Sequence, residues 1–106
     1  MHLRYAHRYP IQCRITFLGD RLVGDGTVRN VSTGGWKVDS DQPVQRGHYF
    51  GLRVLLPDQA VPMKVDLAAV RWSSGREFGL EFLRMQPEEQ ARLRRFVSTL
   101  ETATSH

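Results

Sequence analysis

Polar and apolar positions alternate along most of the chain. Ile11, Cys13, Ile15 and Phe17 interleave with Gln12, Arg14, Thr16 and Leu18, a period-two pattern that predicts a half-buried strand over residues 11–18. Gly19-Asp20 and then Gly24-Asp25-Gly26 interrupt the alternation after Leu18. The second glycine group reads as a hairpin turn, and a second strand is expected over about residues 27–31. Beyond Ser32-Thr33-Gly34-Gly35, Trp36, Val38 and Ser40 alternate with Lys37 and Asp39 until Asp41-Gln42-Pro43 ends the third strand. Phe50, Leu52, Val54 and Leu56 share one face of a fourth, over residues 48–56.

Pro57-Asp58 makes a turn, since proline presets φ for its second position. The fifth strand, residues 61–72, starts with Val61, Met63, Val65 and Leu67 on one side. It then changes frame through Ala68-Ala69 to Val70 and Trp72, which predicts a bulge. Ser73-Ser74-Gly75 reads as a hairpin turn, and Phe78, Leu80 and Phe82 mark a sixth strand. Short antiparallel strands at this spacing argue for a barrel or a sandwich.

The period then lengthens. Leu93, Phe96, Val97 and Leu100 fall at i, i+3, i+4 and i+7, one face of a helix over residues 87–101. Pro87 suits its first turn, and Glu88-Glu89 sit where the macrodipole favours negative charge. Arg92, Arg94 and Arg95 read as a solvated face, and residues 102–106 as a frayed end. A single apolar face means that the helix packs on the strands.

With 106 residues the chain is expected to be one domain. The lone cysteine, Cys13, excludes an internal disulfide framework, and its inward strand position marks it as a buried structural thiol. No apolar run is long enough to cross a bilayer as a helix, and Met1-His2-Leu3-Arg4-Tyr5 carries no secretory stretch. The expected setting is cytoplasmic, away from membranes.

Charge adds a direction. Fifteen basic residues face eleven acidic ones, for a net +4, and thirteen of the fifteen are arginine. No acid precedes Asp20, so Arg4, Arg8 and Arg14 leave the opening segment uncompensated. Such an arm attracts anions, and the planar guanidinium fork suits phosphate and guanine edges.

Catalytic chemistry is not supported. Ser32 lacks the Gly-x-Ser-x-Gly setting, and His2, His7, His48 and His106 are not spaced as a base or a metal cluster. Residues 24–29 match neither a Walker loop nor a dinucleotide fingerprint. No enzyme activity, metal or cofactor is expected.

Two features stand apart: Arg4-Tyr5-Ala6-His7-Arg8 ahead of Tyr9-Pro10, and Asn30-Val31-Ser32-Thr33-Gly34-Gly35 between two strands. Paired glycines there permit φ > 0 and close approach of a ligand. Together, Arg-x-x-x-Arg followed by Asn-x-Ser-x-x-Gly resembles the paired signature of PilZ domains. The Val70-Arg71-Trp72 segment, the Glu77-Phe78-Gly79-Leu80-Glu81-Phe82 segment and the closing helix are also similar, so the resemblance runs from Arg4 to about Leu100.

The resemblance implies a six-stranded antiparallel β-barrel of the split-barrel kind with one C-terminal α-helix. Residues 1–10 would be a ligand-closing arm, 11–83 the barrel and 87–101 the helix. It also implies a receptor for cyclic di-GMP whose arm orders on binding and signals to an unidentified downstream protein, as a monomer or weak dimer. Arg4 and Arg8 would fork onto guanine edges or phosphates. Asn30 and Ser32 would contact the ligand from the barrel side, with backbone N–H groups of Gly34 and Gly35 approaching it. Trp72 would pack on a base or serve as a rim aromatic, while Trp36 reads as core. Leu3, where some relatives carry a further arginine, points to one ligand per site. Asn30 in place of the commoner aspartate removes a carboxylate from beside an anion. Two rivals are a basic barrel for single-stranded nucleic acid and a ligand-free protein-interaction scaffold. The absence of a row of exposed aromatics disfavours the former, and two complete motifs disfavour the latter.

Overall fold

The inward half of the alternating pattern closes on itself. The computed structural model describes residues 9–20, 22–31, 35–57 and 59–104. Its strands are β1 (Tyr9–Leu18), β2 (Val23–Val31), β3 (Gly35–Asp39), β4 (Tyr49–Leu55), β5 (Met63–Ser74) and β6 (Glu77–Arg84), followed by the helix α1 (Pro87–Thr104). They pair antiparallel in the order β1-β2-β3-β6-β5-β4, and β4 closes back on β1. A closed barrel leaves two surfaces, so each strand must send alternate residues inward.

Ile15, Phe17, Val28, Val38, Leu52, Val54, Met63 and Val65 fill the interior. At roughly 1.5–3 kcal/mol for each large apolar side chain removed from water, this set is the main source of stability. The Phe17 ring lies 5.1 Å from Phe50 and 5.5 Å edge-on from Phe78, which ties β1, β4 and β6 together at the barrel centre. Leu93, Phe96 and Val97 of α1 are buried against the same cluster, and Leu100 packs at its margin.

The expected frame change in β5 is present. Leu52 stands opposite Val65, yet Phe50 stands opposite Ala68, so β5 spends one more residue than β4 between the same inward positions. Where the structure departs from the sequence reading, packing explains the difference. Gly24-Asp25-Gly26 is not a turn but part of a β2 that begins at Val23; the chain reverses earlier, where the Gly19 N–H donates to the Leu22 carbonyl at 2.7 Å. A Cβ on Gly24 would come within 2.7 Å of the Phe17 ring, so its glycine serves contact rather than reversal. Ser73 and Ser74 continue β5, and the reversal falls on Gly75 with φ +61°. β1 includes Tyr9 and Pro10.

The helix also outruns its expected end, to Thr104, with the Thr102 hydroxyl donating to the Ser98 carbonyl. Nor is Arg92 a solvated side chain. Its guanidinium donates to the carbonyls of Val61 and Pro62 and to the Gln59 side chain, and it pairs with Glu89. Glu89 in turn accepts the Lys64 N–H. The first turns of α1 are thereby stitched to the β4–β5 connection, while Arg94 and Arg95 are exposed. No helix among the described residues is long and apolar enough to cross a membrane.

Replacing Arg92 by alanine leaves four acceptors without their donor. We expect a loss of about 1–3 kcal/mol in urea unfolding, together with faster amide exchange at Gln59 and Lys64 and little change in the other strand amides.

Candidate functional site

A break in alternation builds the outer face on which the sequence motifs converge. Val28 and Val31 of β2 are both fully buried although three residues apart. The pairing with β3 shifts between Val28 and Asn30, a bulge that turns both Arg29 and Asn30 outward. Strict alternation from Val28 would have sent Asn30 into the core. Instead it stands half-buried opposite Pro10 on one side and Lys37 on the other.

The row continues across the sheet. Lys37 is opposite Gly79 on β6, and Gly79 is opposite Trp72 on β5. Pro10, Asn30, Lys37, Gly79 and Trp72 thus cross five strands on one outer surface. With neighbouring strands about 4.8 Å apart, Asn30 and Trp72 lie roughly 14 Å from one another. Trp72 is 39% exposed and lies over Gly79 so closely that a Cβ there would collide with its indole. The glycine is a notch that leaves room for the ring against the barrel. A second register shift, between Val70 and Trp72, puts Arg71 beside Trp72, where it pairs with Glu81.

Gly35 opens β3 opposite Glu81. Its φ is not among the positive ones, so the expected left-handed conformation does not occur there. What requires glycine is contact: a Cβ would collide with the Leu80 carbonyl. Trp36, next in line, is buried as expected and meets Phe82 edge-on at 5.1 Å.

Of the candidate residues, Asn30, Gly35 and Trp72 are on the described part of this surface. Arg4, Arg8, Ser32 and Gly34 lie outside the described residues. The points where their segments join the barrel are nevertheless adjacent, since Tyr9, which follows Arg8, pairs with Val31, which precedes Ser32. Lys37 and Gly79 belong to the same row and were missed by sequence reading. The sign of Gly79 was a glycine at an outward position of an otherwise regular strand.

Electrostatics on this face are mostly paired. Lys37 Nζ lies 3.3 Å from Glu77 Oε2, and Arg29 Nη2 lies 3.1 Å from Asp39 Oδ2. At the start of β1, burial pushes the Tyr9 phenol above its ordinary pKa, and the Glu101 carboxylate, which accepts its hydrogen bond, pushes the same way. Burial pushes the Cys13 thiol up to about 11. Among the described residues no three His, Cys, Asp or Glu side chains gather as a metal site.

The notch makes a specific prediction. Gly79→Val should dislodge the indole, red-shift tryptophan emission, increase acrylamide quenching and cost about 1–3 kcal/mol in urea. In a Trp72→Ala background the same valine should cost markedly less, a coupling that a double-mutant cycle reads directly.

Known proteins share this fold. The family model described as PilZ domain matches residues 2–99. No curated protein sequence matches the chain. Among solved structures, the Bacillus subtilis inhibitor of motility MotI/DgrA is similar over 100% of this chain, with a TM-score of 0.80 and 18% identity. The chain spans only 55% of that protein's length. The PilZ domain with c-di-GMP of YcgR from Escherichia coli matches 96% of this chain and 94% of its own, with a TM-score of 0.77 and 18% identity. The PilZ domain of CeSA from a cellulose-synthesizing bacterium matches 90% and 98%, with a TM-score of 0.69 and 15% identity.

Proposed function

The chain belongs to the PilZ domain family, and on that footing we propose that it is a non-enzymatic receptor for cyclic di-GMP that signals to a partner protein. One observation carries this reading: the pairing of Tyr9 with Val31, which joins the Arg4–Arg8 segment and the Ser32–Gly34 segment to the barrel at one place, beside Asn30. The likeness to a domain described with c-di-GMP supports the choice of ligand.

The ligand carries two phosphates and two guanines. Arg4 and Arg8 supply guanidinium forks for guanine O6 and N7 or for phosphate oxygens, each good bidentate base contact giving about 1–3 kcal/mol of discrimination. Asn30, turned outward by the bulge, and Ser32 supply neutral polar groups from the barrel side. Asn30 adds no negative charge beside an anion. Gly34 provides a backbone that a ligand can approach. Gly35 is the fixed end of this hairpin and holds it against β6 at the Leu80 carbonyl. Trp72, seated over Gly79, offers a base a ring at the far end of the row.

Binding draws the opening segment against the barrel and so alters the surface shown to a partner, an ordering switch. The receptor works in the cytoplasm, where the nucleotide is available, and takes one ligand.

Calorimetry with cyclic di-GMP tests the reading. Arg8→Ala should abolish most of the heat while leaving the melting temperature nearly unchanged. A sharp fall in melting temperature would instead assign Arg8 a structural role. Cyclic di-AMP should bind more weakly by roughly 5–100-fold, because adenine N6 donates where guanine O6 accepts. Equal affinities for the two nucleotides would sink the base-reading role of the arginines.

A further inference from the structure

β6 runs past its last described pair with β3. Among the described residues β3 pairs with it from Asp39 opposite Glu77 to Gly35 opposite Glu81, and β6 continues beside β5 to Arg84. The register with β5 shifts at this point: Ala68 faces Phe82 and Leu67 faces Arg84, so Leu83 is bulged out and 44% exposed. Between the end of β6 and α1 lies a groove of about 360 Å³, with Phe82 and Leu93 among its walls and Leu83, Arg84, Gln90 and Arg94 around them.

Its charge is one-sided. No acidic side chain lines the groove among the described residues. Arg29, Arg71, Arg76 and Arg92 each pair with a carboxylate. Arg84 and Arg94, one on each wall, have no such partner among the described residues. Apolar walls flanked by two such guanidinium groups favour one kind of occupant over water. It must bring an apolar side chain to cover Phe82 and Leu83, and carboxylates to meet the arginines.

We propose that this groove docks a short acidic segment of a partner protein, with a large apolar side chain lodged between β6 and α1 and carboxylates on Arg84 and Arg94. The groove is linked to the candidate ligand face through Trp36, whose ring touches Phe82 and whose preceding residue is Gly35. Docking itself does not require the nucleotide; its control by cyclic di-GMP rests on the proposed function.

The probe is a short fluorescein-labelled peptide in which Phe-Leu is flanked on both sides by glutamates, with a counterpart carrying lysines in their place. Fluorescence anisotropy should show saturable binding of the acidic peptide and none of the basic one. Combined Arg84→Glu and Arg94→Glu should weaken binding by about tenfold or more. Both arginines are exposed and outside the core, so the double variant should keep its melting temperature and its calorimetric binding of cyclic di-GMP. Retention of nucleotide binding with loss of the peptide isolates the groove from the ligand site, so failure of one reading leaves the other measurable. The proposal is overturned by the absence of saturable binding, by equal binding of both peptides, or by unchanged affinity in the double variant. It is equally overturned if sedimentation finds a wild-type dimer that the double variant breaks, because the occupant would then be a second copy of this chain.

Discussion

The register between β1 and β2 is the constraint on which the rest of the molecule depends. Tyr9 opposite Val31 is an inward pair, both side chains buried, and so is Cys13 opposite Val28. Between these pairs β1 takes four steps and β2 only three, so the alternation of β2 breaks at Arg29-Asn30. A one-residue slip would move every side chain of a strand to the opposite surface. In a closed barrel that slip would empty the core, so the bulge is enforced by the whole interior rather than by local preference. Asn30 reaches the outer face because the core leaves no other arrangement.

Much of this was legible in the chain. Alternation located six strands, the frame change at Ala68-Ala69 announced the β5 irregularity, and the longer period of Leu93, Phe96, Val97 and Leu100 gave the helix and its packed face. The failures share a cause. Gly24 and Gly26 look like turn residues locally, and only the approach of β1 and β3 side chains to β2 reveals why they are glycines. Ser73 and Ser74 carry turn-like chemistry but pair with β6. Arg92 reads as surface on a helical wheel, yet its partners are carbonyls about thirty residues earlier in the chain. Each depends on a neighbour distant in sequence.

The candidate site divides in the same way. Its motif residues were visible as a spacing, whereas the row that completes the face was not. Lys37 and Gly79 acquire their meaning from register alone, as does the seating of Trp72. Gly35 was read as permitting a positive φ or the close approach of a ligand, and in the fold it admits the close approach of the Leu80 carbonyl. Glycine at 35 and 79 leaves room for the Leu80 carbonyl and the Trp72 indole, and so sets how closely the β3 and β5 sides approach β6.

Cys13 has a practical corollary. As the sole sulfhydryl of the chain, enclosed by the barrel and poorly ionised at neutral pH, it stays silent toward maleimides and iodoacetamides, which attack the thiolate. A cysteine engineered anywhere on the exterior would then be the one reactive handle. Dye pairs, spin labels or photocrosslinkers could be attached there without first deleting a native group.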